Sequence, residues 1–148
     1  MCERSTRGGP FLLGGRDRGM LLTARVRQRS PKGSVMPRIG TVARDLYRRE
    51  MAASKTAGDP QQRWRHLERA HILSQPDPWL HTCNHVAMLA LALRCRDRRE
   101  ALGQVVRIVV AAPGSMTGRY PEGNTGRVAA GLTTPMPVPA DLARALSA

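Results

Sequence analysis

The sequence predicts an all-α protein, either a small four-helix bundle or a pair of helical hairpins, followed by an irregular Gly/Pro-rich tail. Apolar residues recur with helical spacing between positions 39 and 114. Aspartate followed by proline, the arrangement that caps and opens a helix, occurs at residues 59–60 and again at 77–78. The links between the predicted helices are short, so consecutive helices should be antiparallel neighbours within one domain.

Residues 1–36 form a basic N-terminal segment that is rich in glycine and arginine and has no sustained periodicity. We expect this extension to be disordered. The regular pattern begins after Met36, so one interpretation is that translation starts at Met36 rather than Met1; another is an arginine-rich targeting peptide. The apolar runs within residues 1–36 are too short for a secretory signal peptide. No stretch of the chain reaches the length of a membrane span, and we expect a cytoplasmic location.

Residues 37–114 are expected to form the helical core, which begins with a helix over about residues 39–57 that ends at Gly58. The charged run at 48–50 is expected to face outward. The side chains of this helix that are expected to face inward are Val42, Leu46 and Met51.

The next three helices each begin at a recognisable cap. The second and third are expected over about residues 60–74 and 78–96. The fourth begins after Asp97, where Glu100 three residues later resembles a capping box, and is expected to end at Pro113–Gly114. Its β-branched residues would also suit a strand, but the cap and the length favour a helix.

Residues 115–148 are expected to form an irregular tail, because prolines and glycines interrupt every longer pattern. A short terminal helix over about residues 140–146 is the exception. The tail contains a tight turn whose amides would suit an anion, although a plain surface turn is the commoner use of such a sequence. The residues of this turn are Gly123, Asn124, Thr125 and Gly126.

The formal net charge of +13 raises the question of nucleic-acid binding. Aromatic residues make up only 3% of the chain, so there is no platform on which single-stranded bases would stack. The sequence also contains no recognisable nucleic-acid reader motif. A nucleic-acid partner is therefore supported by charge alone, and it would show itself as strongly salt-dependent association.

The four histidines all fall within residues 66–85. His81 and His85 are four residues apart and therefore lie on one helical face, one turn from each other. On the preceding helix, Glu68 and His71 have the Glu-x-x-His spacing that carboxylate-bridged metal sites use. Because the turn between the two helices lies midway between His71 and His81, these two side chains should approach each other.

The histidine pattern therefore predicts a site for one divalent metal ion, with three imidazoles and one carboxylate as ligands. This ligand set suits Zn²⁺, Fe²⁺ or Cu²⁺. The predicted ligands are Glu68, His71, His81 and His85, and the secondary candidates are His66 and Glu50. The alternative is that these histidines only pack between helices and hydrogen-bond to neighbouring groups, with no cofactor bound.

Enzymatic chemistry has little support in the sequence. Cys95 lies about three helical turns beyond His85, too far for a cysteine–histidine nucleophile pair. There is no phosphate-binding loop, dinucleotide fingerprint or Gly-x-Ser-x-Gly motif. We therefore predict no catalytic residues and favour a non-enzymatic protein.

Five separated motifs follow one another along the chain: DPQQRWRHLERAHILSQ, H-x-x-x-H-x-x-M-L, RDRREALGQVVRIVVAAPGS, G-x-x-P-x-GNTG and PMPVPADL. Together they resemble a bacterial family known as domain of unknown function 3703, over roughly residues 38–146. The resemblance implies a small helical protein whose function has not been established. Arg127 stands where the family commonly has a further glycine. The motif positions that this resemblance carries over are Trp64, His66, Leu67, Glu68, His71, His81, His85, Met88 and the four residues of the Gly-Asn-Thr-Gly turn.

These observations favour an accessory metal-binding protein that uses its cluster of histidine and glutamate. The alternative is a helical module without a cofactor that binds an unidentified protein partner through an exposed apolar or arginine-rich face. The two hypotheses differ in whether the histidines converge on one point.

Overall fold

The computed structural model describes residues 39–148, and every regular element within that range is helical. The helices are α1 Thr41–Thr56, α2 Pro60–Ser74, α3 Pro78–Arg94, α4 Arg98–Met116 and α5 Ala140–Ser147, with a 3₁₀ turn at Val128–Ala130. The all-α class predicted from the sequence is confirmed. The predictions for residues 1–36 lie outside the described residues. Among the helices of residues 39–148, none is both long enough and apolar enough to span a membrane.

Aspartate side chains begin the three central helices, as their positions in the sequence predict. The Asp59 carboxylate accepts the amide of Gln62 at 3.2 Å at the start of α2. Asp77 accepts two amides of the first turn of α3 at 3.1 Å. Asp97 accepts the amide of Glu100 at 2.9 Å at the start of α4. Each cap satisfies amides that have no partner within the helix, and each contributes about 1 kcal/mol to stability.

The helices pack as two hairpins. Helix α1 lies against α2, α3 lies against α4, and α2 joins the two pairs by packing on α3. Helix α5 returns to pack on α1 and α2. Apolar side chains fill two clusters, one centred on Leu73 and Leu142 and the other on Met88, all three of which are fully buried. Burial of one such side chain contributes about 1.5–3 kcal/mol, so these clusters fix how the hairpins meet.

The inward face of α1 differs from the prediction. Its buried residues are Ala43, Tyr47, Glu50 and Ser54. Val42, predicted to face inward, is 50% exposed, whereas Leu46 and Met51 are partly buried and pack against the core as predicted. The prediction was wrong for Val42 and Glu50, because polar contacts help to select the face. Tyr47 donates to a carbonyl of α3 at 3.3 Å, and Glu50, predicted to face outward, pairs with side chains of α2.

Helix α4 turns a polar face inward and an apolar face outward. Its buried residues are Glu100, Ala101, Gln104, Arg107, Ala111 and Ser115. Five of its large apolar side chains are 42–70% exposed; they are Leu102, Val105, Val106, Val109 and Val110. A helix at the surface of a globular protein normally does the reverse. The buried polar side chains of α4 must therefore have partners inside the protein.

Helix α4 also continues past Pro113, so the prediction that Pro113–Gly114 ends it is wrong. Proline has no backbone N–H to donate, so it removes one intrahelical hydrogen bond. The following turn is nevertheless closed by the amide of Thr117, which donates to the Pro113 carbonyl at 3.1 Å. It is also tied to the end of α2, because the Ser115 hydroxyl donates to the Gln75 carbonyl at 2.6 Å. This last turn brings Ser115 into the interior.

The tail between α4 and α5 is held in place by two amide side chains that are each 2% exposed. Asn124 Nδ2 donates to the Thr134 carbonyl at 2.7 Å. Gln75, at the end of α2, donates from Nε2 to the Pro121 carbonyl at 2.7 Å and accepts the amide of Gly123 at 3.1 Å. The tail therefore lies in a defined position against the end of α2 and the inward face of α4.

Candidate metal centre

Three imidazole rings meet between α2, α3 and α4. His71, in the last turn of α2, places its Nε2 atom 2.9 Å from Nε2 of His81 and 3.2 Å from Nε2 of His85. One ring nitrogen from each residue lies within 4.8 Å of the other two. None of the three side chains is more than 5% exposed. This cluster, which we call the histidine triad, could hold a metal ion.

Local sequence explains how the triad forms. His81 and His85 lie one turn apart on one face of α3, as their spacing predicts. The chain reverses at residues 75–77, and the Asp77 cap starts α3 at once. This arrangement sets the last turn of α2 beside the first two turns of α3. The predicted approach of His71 to His81 is confirmed by the 2.9 Å separation of their Nε2 atoms.

The outer nitrogen of His71, Nδ1, which points away from the triad, faces a group that can only accept a hydrogen bond. This Nδ1 atom lies 2.8 Å from the carbonyl oxygen of Asn124. A carbonyl has no proton to give, so Nδ1 must carry the hydrogen and donate it. In the neutral ring, Nε2 then holds a lone pair that points into the triad.

The outer nitrogen of His85 is constrained in the same way through an amide. Its Nδ1 lies 2.7 Å from Oε1 of Gln104. The Nε2 group of Gln104 donates to the Glu100 carboxylate and to the Gly126 carbonyl, both at 2.8 Å. Two acceptors on that side fix the orientation of the amide, so its oxygen faces His85 and accepts from Nδ1–H. The Nε2 atom of His85 therefore also carries a lone pair.

The outer nitrogen of His81 faces a hydroxyl that has already used its proton. His81 Nδ1 lies 2.8 Å from Ser115 Oγ. That hydroxyl donates to the Gln75 carbonyl at 2.6 Å, which leaves its oxygen to accept from Nδ1–H of His81. All three rings thus place their proton on Nδ1 and an Nε2 lone pair in the same small volume. Facing lone pairs cannot hydrogen-bond to each other, and a proton or a metal cation between them would satisfy them.

The surroundings of the triad disfavour the proton. Burial lowers the pKa of His71 well below its ordinary value, and the neighbouring imidazoles of His81 and His85 lower this pKa further. Burial lowers the pKa of His81 to about 3, with His85 adding to the effect. Burial also lowers the pKa of His85 to about 4, although its hydrogen bond to Gln104 acts in the opposite direction. The triad is therefore neutral at pH 7, which is the state in which imidazole binds metal ions.

The Gly-Asn-Thr-Gly turn packs directly on His71. Asn124 supplies the carbonyl that accepts Nδ1–H, and Gly126 lies against the imidazole ring with φ +78°. A Cβ atom at Gly126 would sit 2.7–2.8 Å from three atoms of that ring, closer than carbon atoms approach. Only glycine fits at this position, because both the backbone angle and the available space exclude a side chain.

Three amides of this turn already donate within the protein. The amide of Gly123 donates to Gln75 Oε1 at 3.1 Å, and that of Asn124 donates to the Pro121 carbonyl at 3.1 Å. The amide of Gly126 donates to Oδ1 of Asn124 at 2.8 Å. These amides are occupied, so the anion site predicted for the turn gains no support from them. What the turn does in the structure is hold His71.

The Glu68 carboxylate, predicted as the fourth ligand, is not brought to the triad. Its Oε1 pairs with Nη1 of Arg127 at 3.3 Å. Arg127 also stacks on Trp64, with its guanidinium carbon 3.8 Å from the ring centroid. Its Nε lies 3.2 Å from Oε2 of Glu100, as an ion pair that lacks hydrogen-bond alignment. The Glu68 carboxylate is therefore paired with a residue of the distant tail, and helical spacing alone does not reveal this contact.

The two secondary candidates, His66 and Glu50, meet each other at a separate place. His66 Nδ1 lies 2.7 Å from Oε2 of Glu50, and Arg69 Nε donates to the other carboxylate oxygen at 2.6 Å. Arg69 also pairs with Asp141 of α5. This network ties α1, α2 and α5 together, and it is separate from the triad.

The residues that orient the triad were not identified from the sequence. Gln104, Ser115 and Glu100 were not predicted to be part of any site, and Asn124 was predicted for a different role. One signal was present: Gln104 and Arg107 are isolated polar residues in the apolar run of α4, where a buried polar group implies a partner. The partners of these two side chains lie in α3, in α4 itself and in the tail, and could not be read from the sequence.

A cavity of about 240 Å³ borders the triad. All three histidine rings line it, and so do Arg107, Arg119 and Tyr120. The apolar side chains of its wall are Val110, Ala111, Pro121 and Leu132. The triad is thus buried on the side of its Nδ1 atoms and borders an open space on another side.

The fold and the site define a small all-α protein with a buried three-histidine cluster that could hold a metal ion. A family model described as "Protein of unknown function (DUF3703)" matches residues 41–146, and the chain belongs to this family. No significant match to the chain was found among curated proteins or among solved structures.

Proposed function

We propose that this protein is an accessory metal-binding protein that holds one divalent transition-metal ion on the Nε2 atoms of His71, His81 and His85. The observation that carries this proposal is the orientation of the three rings. Each ring donates its only proton outward, to Asn124, Ser115 or Gln104, and directs a lone pair at the other two. When a histidine binds a metal through one ring nitrogen, a hydrogen bond from its other ring nitrogen fixes the tautomer and raises the basicity of the ligand.

The spacing of the nitrogens supports the proposal. Imidazole nitrogens bind zinc at about 2.0–2.1 Å, so two of them lie about 3.3 Å apart at a tetrahedral angle and about 2.9 Å apart at a right angle. The Nε2 separations of 3.2 and 2.9 Å from His71 to its two neighbours match these values. Three neutral imidazoles suit Zn²⁺, and also Fe²⁺ or Cu²⁺.

The accessory role is supported by the groups around the triad. Gln104, Ser115 and the Asn124 carbonyl each hold an imidazole, and none of them is an ionisable group placed to move protons. Glu100 is ionisable, but its carboxylate accepts from Gln104 and from the amide of Val128. The arrangement holds an ion in a defined geometry, as a protein that stores, delivers or senses a metal requires.

The test uses the full chain purified without an affinity tag, with metal content measured by elemental mass spectrometry. We expect one equivalent of metal per chain in the wild type and loss of that metal in the double variant His81→Ala/His85→Ala. The matched control is His66→Gln, which alters the one histidine outside the triad and should retain the metal. A wild type that is free of metal and shows no thermal shift with Zn²⁺, Fe²⁺ or Cu²⁺ contradicts the proposal.

A second candidate function, protein interaction without a cofactor, is favoured by the exposed apolar face of α4. Leu102 and Val109 are 69% and 70% exposed, and a groove beside Leu102 continues onto Leu93 of α3, itself 63% exposed. Apolar surface of this kind is typical of interaction sites. The simplest partner is a second copy of the chain. Sedimentation equilibrium should then show a dimer that Val109→Glu dissociates, and a monomer at high concentration would contradict self-association through this face.

A further inference from the structure

We propose that the cavity beside the triad binds a small organic carboxylate, whose carboxylate group binds the metal ion and is paired with Arg119. This inference rests on the proposed function, because the metal is one of the two groups that hold the ligand. Three features of the cavity favour such a ligand: an open side on the metal site, positively charged lining residues and an apolar wall.

The open side follows from the way the rings are packed. The Nδ1 atoms of His71, His81 and His85 face protein acceptors, and all three residues line the cavity. Three protein ligands leave at least one coordination position of a tetrahedral or octahedral ion unfilled. In the proposed site that position opens onto the cavity.

The described residues that line the cavity include two arginines and no carboxylate. Arg107 is 7% exposed, and its guanidinium donates to the carbonyls of Gly103, Arg127 and Gly131 at 3.2, 3.2 and 2.9 Å. Carbonyls hold this charge in place, and Glu100, whose carboxylate acts on Arg107 electrostatically, lies outside the residues that line the cavity. None of the described residues that line the cavity is acidic.

Arg119 supplies a second positive charge at the rim of the cavity. Its backbone is fixed, because its amide donates to the Gly114 carbonyl at 2.9 Å. Within residues 39–148 its side chain makes no hydrogen bond or ion pair, in contrast to Arg107. With three neutral imidazoles, a divalent ion keeps its full charge of +2, so an anion is the ligand that the open position and the two arginines favour.

The shape of the anion follows from the rest of the wall. Val110, Ala111 and Leu132 give the cavity an apolar side, and its volume of about 240 Å³ suits a molecule of a few carbon atoms. A carboxylate has two oxygens in one plane, so one can bind the metal while the other accepts from the planar guanidinium of Arg119. A short alkyl chain would then lie along the apolar side.

The experiment uses the full chain loaded with Co²⁺, whose visible absorption reports its coordination. Acetate, propionate and butyrate are titrated separately, with inorganic phosphate as a further probe. We expect a saturable change in the Co²⁺ spectrum with each carboxylate. Affinity should rise about threefold to fourfold for each added methylene, as burial of a CH₂ group predicts.

Arg119→Gln should weaken butyrate binding about tenfold while the protein still binds one Co²⁺, because Arg119 is not a metal ligand. The matched control is Arg94→Gln, an exposed arginine on α3 that does not line the cavity. Failure to bind Co²⁺ at all would refute the proposed metal function itself. Bound Co²⁺ whose spectrum no carboxylate changes, or equal butyrate affinity in Arg119→Gln, would overturn this inference alone. Phosphate that binds as tightly as butyrate would overturn the assignment to a carboxylate.

Discussion

The hydroxyl of Ser115 lies 2.8 Å from Nδ1 of His81 and joins the last turn of α4 to the first turn of α3. Because the same hydroxyl donates to the carbonyl of Gln75, its oxygen can only accept from the imidazole. Ser115 thereby decides which nitrogen of His81 carries the proton. This relationship exists only because α4 continues for a turn beyond Pro113.

Ser115→Ala should weaken metal binding about 10- to 100-fold, because His81 loses the acceptor that holds its tautomer and orientation. Affinity can be measured by competition with a chromophoric chelator. Thr117→Val, which removes an exposed hydroxyl that bonds only to carbonyls of its own helix, is the matched control and should bind metal like the wild type. Equal affinities for Ser115→Ala and the wild type would show that the orienting bond is unnecessary.

Gly126→Ala should destabilise the protein by about 1–3 kcal/mol more than Gly118→Ala does. Both glycines have positive φ, +78° and +67°, so both substitutions strain the backbone. At Gly118 nothing lies within 4 Å of the new Cβ, whereas at Gly126 the Cβ would overlap the ring of His71. Urea denaturation of the two variants gives the difference, and equal losses of stability would mean that the ring moves aside without cost.

The metal-free protein should lose stability as the pH falls from about 6.5 towards 4. Histidines of the unfolded chain take up protons near pH 6.5. In the folded protein burial lowers the pKa of His85 to about 4 and that of His81 to about 3, so these residues remain neutral. Unfolding therefore takes up protons, and each such histidine costs about 1.4 kcal/mol of stability for every pH unit in this window.

Chemical denaturation in the presence of a chelator, at several pH values between 7.5 and 4, measures this slope. His85→Gln removes one of the titrating groups and should flatten the slope. The control variant is His66→Gln, which removes a histidine that lies outside the triad. If His85→Gln and the wild type lose stability equally with falling pH, the buried imidazoles do not govern the acid sensitivity.

Glu50→Gln should lower stability by about 1–3 kcal/mol and leave metal stoichiometry unchanged. The Glu50 carboxylate, buried between α1 and α2, accepts from His66 on one oxygen and from Arg69 on the other, and an amide has only one oxygen that can accept. Thermal unfolding and elemental mass spectrometry on the same sample give both quantities. Loss of bound metal in a variant that remains folded would return Glu50 to the list of ligands.

Much of the helical framework was predictable because its signals are local. The caps Asp59, Asp77 and Asp97 act on amides two or three residues away, so position in the sequence is enough to place the helix starts. The shared face of His81 and His85 is equally local, because it depends only on the helical repeat. The family resemblance noted from the motifs is confirmed by the match over residues 41–146.

Other features could not be predicted, because they depend on which segment packs against which. Helical spacing placed Glu68 beside His71, but Arg127, 59 residues away, pairs with its carboxylate. The spacing of residues along α4 also does not predict that Gln104 is buried and that Val109 is at the surface. The inward face of a helix is selected by its neighbours, and here those neighbours present imidazoles and carbonyls that need polar partners.

The sequence by itself determined an all-α chain, the starts of its main helices and a pair of histidines on one helical face, since each of these follows from residues within a turn or two. Only the tertiary structure decided that His71 completes the triad and that Asn124, Ser115 and Gln104 accept from its outer nitrogens. A ring nitrogen's proton goes to whichever acceptor lies beside it. Those acceptors come from the last turn of α4, its middle and the tail, and only packing brings them to the three imidazoles.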